Sequence, residues 1–411
     1  MQPIITTSVN KARSYLSLIF SVKQFVILLF INFMIGLSVS FYVPFNSLFS
    51  LEEVGMSNLS FGYYMVIGSL SSVLISSIIG SRSDSSTSRK KLLMLAFLFS
   101  TIGFIIFAFS RNYYVLLLNS AVIMGVASCG TPQIYAYAKE VLENNSVDQN
   151  KIPFLINIFR MSYALSWTCG PALAALLLVK FDFKGVFLIV ALLYFLTLII
   201  IMLFLKQSKL VVSKKARTKV LPLIFGNKKI LLTFIAFMFI TAAGYINTMN
   251  MSQYVIKSLN GSESQVGIIF SVPPLFEIPF MVYFGLLAIK NNVVKLIKIG
   301  MIIAVIYYML LIFVTDVWNI YPIQILSAAY ISIIMGVSIS YFQGLIPDEP
   351  GTTSTLYTNA TRLGSLVGYL LFGLITQFLD YRNAYICCVI LAALSLVLIY
   401  SSNFKKESVR L

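Results

Sequence analysis

Twelve apolar stretches, each close to the ~20 residues a helix needs to cross a bilayer, leave this chain few architectures. They fall near residues 24–48, 58–80, 92–110, 113–137, 153–178, 185–205, 230–256, 264–287, 295–315, 318–342, 352–378 and 382–402. Inside hydrocarbon every backbone N–H and C=O needs an internal partner, so such stretches fold as helices. A membrane β-barrel would instead show alternating segments of about ten residues, and the sequence has no such pattern. The expectation is an all-α membrane protein with twelve transmembrane helices. Composition agrees: 11% of the 411 residues are charged, 59% are hydrophobic, and the mean hydropathy is +0.90. A soluble domain carries about 25% charged residues.

Residues 206–229 are polar and hold eight Lys or Arg. They read as a linker between an N-terminal six-helix bundle, residues 1–205, and a C-terminal one, residues 230–411. Twelve spans put both termini on one side. Segments on that side carry 23 Lys and Arg, whereas the opposite loops carry five: Arg111, Lys180, Lys184, Lys257 and Arg382. Basic loops stay in the cytoplasm, so both termini are expected there, with the protein multi-pass in a bacterial plasma (inner) membrane. The net charge of +16 is then a topological signal, and no nucleic acid is called for. Residues 1–21 lack a short apolar core followed by a small-residue cleavage site, so they are not expected to be a cleaved leader. The two bundles also repeat each other. Gly62 and Gly80 bracket the second stretch, and Gly267 and Gly285 bracket the eighth, 205 residues later. Asn157–Arg160 (NIFR) and Asn359–Arg362 (NATR) stand early in the fifth and eleventh, 202 residues apart. The bundles are therefore expected to be pseudo-symmetric.

Of fourteen acidic residues only Glu277 falls in mid-stretch, within SVPPLFEIPF (271–280). A charge at that depth costs about 2.5–3.5 kcal/mol on insertion scales, faces a protein interior or a water-filled cavity, and usually takes a partner. Arg160 and Arg362 are the only basic residues more than a turn inside the stretches. Pro273, Pro274 and Pro279 free backbone carbonyls and bend a helix, which a neighbouring cavity tolerates. Amides supply the other polar positions. Asn247, Asn250, Gln253 and Tyr254 share one helical face, as do Asn32, Gly36, Val43 and Asn46. Gln133 and Gln343 add two more in the fourth and tenth stretches. An amide both donates and accepts, which suits a hydroxyl-rich ligand, and Tyr42 and Trp167 supply rings to stack on a sugar face. Hydrogen bonds between helices are the competing use of each amide. The four cysteines lie in apolar segments, with neither disulfide nor metal spacing.

GSRSDSSTSRKKL (80–92) resembles the signature loop of the major facilitator superfamily: Gly80, Asp84, Arg89 and Lys90 match, and Ser85 departs where a basic residue is usual. Six-plus-six repeats about an axis along the membrane normal belong to the same fold. The resemblance implies that spans five and eight, and two and eleven, pack across the halves. An Arg160–Glu277 pair that changes partner during a transport cycle is then expected. Asp84 is expected to latch onto the N-terminus of span eleven, where the helix dipole favours an anion. SWTCGPALAA (166–175) resembles the Gly-Pro motif of proton-coupled exporters at Gly170 and Pro171. The fourth span lacks the arginine of many proton antiporters. Over nearly the whole chain the sequence resembles bacterial sugar efflux transporters, in FMIGLSVSFYVPFNSLF (33–49), RSDSSTSRKKL (82–92), TPQIYAYAKE (131–140), FRMSYALSWTCGPALA (159–174), FEIP (276–279) and TLYTNATRLG (355–364).

That resemblance implies a monomeric secondary transporter exporting sugars or glycosides by alternating access, with protons as the candidate coupling ion and no cofactor. A multidrug exporter of the same superfamily is the nearest rival. A non-transporting membrane sensor is the rival from another class. An enzyme is not expected, because the chain has no histidine and one deep carboxylate.

Overall fold

The computed structural model describes residues 20–86, 88–149, 151–206, 224–290, 292–346 and 350–407. They form helices α1 (Lys23–Glu53), α2 (Asn58–Ser86), α3 (Arg89–Phe109), α4 (Tyr113–Asn144), α5 (152–181), α6 (183–204), α7 (Lys228–Ser258), α8 (Glu263–Lys290), α9 (Val293–Phe313), α10 (Val317–Gln343), α11 (Pro350–Phe378) and α12 (Asn383–Glu407), with no strand among the described residues. Ten segments are long and apolar enough to cross a membrane, one of them the 51-residue run Phe154–Phe204. That run is broken at Asp182, whose φ of 54° leaves the helical region. Beyond the break the chain returns: Tyr137, late in α4, donates to the Lys206 carbonyl at 2.6 Å. Most of the linker, 207–223, lies outside the described residues.

Helix starts follow from short polar side chains that accept from otherwise unpaired N–H groups. Asn112 caps α4, Asn227 caps α7, and Asn292 caps α9. The apolar surface has two fates. Phe25, Leu28, Phe104, Ile240 and Tyr308 are fully or almost fully buried between helices, while Leu74, Leu176, Leu203 and Phe313 are exposed, as side chains facing lipid are.

Small residues decide which helices touch. A Cβ on Gly170 would meet Ser40 Oγ, and one on Gly36 would meet Ser166 Oγ, so α1 and α5 lie close along their length. Two further glycines join α1–α6 to α7–α12. Gly62 of α2 sits against Gly373 of α11, and Gly267 of α8 sits against Pro171 and Ala175 of α5. Gly62 and Gly267 are the pair related by 205 residues, so the sequence repeat marks equivalent crossing points. The same offset relates two π-helical turns, Phe49–Glu53 in α1 and Tyr254–Ser258 in α7. Despite Pro273, Pro274 and Pro279, α8 runs unbroken from Glu263 to Lys290.

Candidate functional site

One end of the bundle is sealed. Here α1 meets α7, where Gln253 Nε2 donates to the Ser47 carbonyl at 3.2 Å, Ser252 Oγ donates to the Pro44 carbonyl, and Lys257 Nζ pairs with Glu52 at 2.6 Å. Glu52 and Lys257 are again 205 residues apart, so equivalent positions of the two repeats meet each other. On the other flank of the seal, Asn58 Nδ2 donates to the Thr376 carbonyl at 2.7 Å and the Leu59 N–H to Gln377 at 3.2 Å. Asn250 Nδ2 donates to the Tyr381 carbonyl at 2.8 Å. At the opposite end Arg160, Gln343 and Arg362 are exposed.

Between the ends lies a cavity of about 450 Å³, lined from both halves. That volume is in the range of small-molecule sites. Its hydroxyl side carries Tyr42, Tyr64, Ser69, Ser72 and Ser120, closed across by Tyr245, Thr248 and Tyr369 of α7 and α11. Tyr42, Tyr64 and Ser120 share this wall of the cavity. Met65, Met124 and Met249 supply a deformable apolar wall. The lining holds no charged residue. Asn46 lines the same space with its amide turned to Met65 Sδ at 3.3 Å. Behind Tyr42 stand Phe104, Phe107 and Phe187, with ring centroids 5.4, 5.6 and 6.0 Å away.

Glu277 lies in a second, smaller pocket of about 150 Å³, with Trp167, Asn247, Thr248, Pro273, Pro274, Gln324 and Ser327. Thr248 lines both pockets. Tyr307 donates to Asn247 and Gln324, each at 3.4 Å, and Ser332 donates to the Glu277 main-chain oxygen at 3.1 Å. The Arg160–Glu277 pair does not form: the four ion pairs among the described residues involve neither side chain. Register explains this. The Ala172 N–H donates to Ser271 Oγ at 3.2 Å, and α5 and α8 run in opposite directions. Six residues on from Ser271, Glu277 is therefore level with Ser166 and Trp167. Arg160 stands six residues further along α5, about 9 Å away at 1.5 Å per residue.

The remaining amides separate by use. Asn247 alone of the α7 face reaches the pockets. Asn250 and Gln253 are fully buried in the seal, and the Tyr254 hydroxyl is bound to the Leu311 and Val314 carbonyls. Asn32 is buried between helices, donating to the Phe159 carbonyl at 2.6 Å and to Ser162 at 3.2 Å. Gln133 accepts from Arg89 at 2.9 Å, and Arg89 also pairs with Glu140, so both close the end of α3 onto α4. Lys90 donates to the Met202 carbonyl at 2.8 Å. Gly170 serves the α1–α5 contact and Pro171 the α5–α8 contact. Gly80 and Asp84 fall in α2, and their side-chain surroundings, with the expected latch, lie outside the described residues. Sequence reading missed Tyr64, Ser120, Tyr245, Tyr369, Gln324 and Ser327. One had a signal: Tyr369 stands 202 residues after Trp167, the offset that relates the two arginines.

Two sets of apolar helices that meet around an uncharged cavity, sealed at one end, make a membrane carrier. The chain belongs to the Major Facilitator Superfamily, whose family model matches residues 28–358 and 232–409. It is 27% identical over 365 residues to sugar efflux transporter A of Dickeya chrysanthemi, covering 89% of this chain and 92% of that one. It is 25% identical over 355 residues to sugar efflux transporter C of Escherichia coli K12, covering 86% and 89%. In fold it is similar to a crystal structure of the nucleoside transporter NupG in mutant form, with a TM-score of 0.79, 14% identity, and 92% and 98% of the chains covered.

Proposed function

We propose that this protein exports sugars or glycosides across a bacterial plasma membrane by alternating access. The observation that carries the reading is the uncharged cavity between the halves, whose tyrosine and serine hydroxyls match sugar hydroxyls and whose rings match a pyranose face. The likeness to named sugar efflux transporters along nearly 90% of the chain supports the cargo class. The fold then comprises twelve spans in two halves, with residues 206–229 as the linker. Both termini lie in the cytoplasm, as the Lys and Arg distribution requires, so the sealed end faces outward and the state is the one an exporter loads.

Tyr42, Asn46, Tyr64, Tyr245, Asn247 and Tyr369 hold the cargo, with Trp167 and Gln324 at the second pocket. Glu277, which has no cationic partner among the described residues, carries the proton if export is proton-coupled. Asp84 latches the cytoplasmic side when it closes, so Asp84→Asn slows turnover and leaves cargo affinity in place. The deciding experiment is efflux of a radiolabelled sugar panel from loaded proteoliposomes, with and without a pH gradient. Movement of apolar cations or dyes but of no sugar makes the protein a multidrug exporter, toward which the three cavity methionines point. No movement of either class makes it a sensor.

A further inference from the structure

Arg160 and Arg362 are exposed at membrane depth, and neither makes an ion pair among the described residues. Charges in membrane spans normally sit against a partner or serve the permeant species. Their placement is not independent. They are 202 residues apart, and each stands seven residues before an aromatic ring of the pockets: Trp167 after Arg160, and Tyr369 after Arg362. Seven residues return a helix to the same stripe, about 10.5 Å further along. Both guanidinium groups therefore stand on the pocket-facing stripes of α5 and α11, two turns toward the unsealed end. Trp167 shares its pocket with residues of α7, α8 and α10, and Tyr369 shares its cavity with residues of α1 and α2, so both stripes lie where the two halves face each other. The large cavity beyond has no charged lining residue to satisfy either arginine.

Resting on the sugar-export reading, we infer that the mouth of the path is an anion-recognition site and that the favoured cargo is a sugar bearing a carboxylate or a phosphate. A guanidinium binds either group through two parallel charge-assisted hydrogen bonds. The hydroxyls and rings two turns deeper take the uncharged part of the same molecule. Two arginines on opposite halves let one anion be held first by α5 and then by α11 as the halves rock.

The test is equilibrium binding to the full chain in nanodiscs of zwitterionic lipid, using glucose, glucuronate, glucose 6-phosphate and inorganic phosphate. Acidic sugars should bind about tenfold or more tightly than glucose, as a charge-assisted contact allows. The preference should shrink with added salt, shrink in Arg160→Gln or Arg362→Gln, vanish in the double variant, and survive in the Lys variants. Glucose binding should stay within about twofold throughout. Equal binding of neutral and acidic sugars overturns the inference and leaves sugar export standing. So does a loss that falls equally on both, which would make the arginines ordinary donors to hydroxyls. If acidic sugars show no preference and native mass spectrometry finds an anionic lipid retained by the wild type and lost from the double variant, the anion is a headgroup and the cargo assignment falls. If no sugar binds but phosphate does, and the double variant loses it, the anion site stands and the sugar reading fails.

Discussion

Gln253 was legible in the sequence as a ligand contact, and the structure makes it part of a seal. The two roles predict different results for Gln253→Ala. In the sealed state the side chain is fully buried and donates to the Ser47 carbonyl at 3.2 Å across the halves. Truncation removes that bond and strands a buried carbonyl, a loss of about 1–3 kcal/mol. When the seal opens, water satisfies the same carbonyl, so the loss falls on the sealed state alone. One term opposes it: Gln253 Oε1 is buried without a partner, and truncation removes that cost too. The net shift should lie near the low end, about 1 kcal/mol or roughly fivefold toward opening. Adding Ser252→Ala, which removes the bond to the Pro44 carbonyl, should bring the shift to about 2 kcal/mol, with incomplete additivity between neighbours. Spin labels at Ser57→Cys and Asn260→Cys, both exposed, read the separation across the seal once Cys129, Cys169, Cys387 and Cys388 are replaced. The single variant should add a longer-distance population and the double variant should enlarge it. An unchanged distance distribution together with a large fall in cargo affinity would refute the seal and return Gln253 to the binding site.

Asn247→Ala should weaken cargo binding by about five- to tenfold, the worth of one hydrogen bond near 1 kcal/mol, without changing the label distances; equilibrium binding and the same spin-label pair check both halves of that statement. Gly267→Ala should cost more stability than Gly62→Ala. The new Cβ lies 2.5 Å from Ala175 Cβ and 2.6 Å from the Pro171 carbonyl in the first case, and 3.0 Å from the Tyr369 carbonyl in the second. Overpacking of this kind costs about 1–3 kcal/mol, and thermal unfolding of the purified variants in the reverse order would contradict the crossing points. Glu277→Gln keeps shape and hydrogen bonding but cannot exchange a proton. Efflux measured across a pH series should lose its pH dependence, and a variant with the wild-type profile would leave Glu277 no part in coupling.

Much of the architecture was readable because a bilayer leaves the backbone few choices. The apolar runs and the glycines repeated at 205 residues each report a local or one-dimensional constraint. Helical phase and depth follow from residue number alone, which is why Glu277, Arg160 and Arg362 were recognisable as unusual. The 202-residue offset could also have found Tyr369 from Trp167.

Partner choice was not readable, because it depends on register between helices far apart in sequence. The amides of α7 share a face, yet the approach of α1 to the end of α7 takes Asn250 and Gln253 into the seal and leaves only Asn247 at a pocket. Arg160 and Glu277 belong to helices that do pack together. The Ser271 contact with Ala172 nonetheless sets Glu277 level with Trp167, two turns from the arginine. Composition and periodicity, set by hydration and backbone hydrogen bonding, determined that this chain is a bundle of membrane helices in two related halves. Close packing of small residues between those halves decided which polar groups meet, because a slide of one or two turns changes every long-range partner while leaving each helix intact.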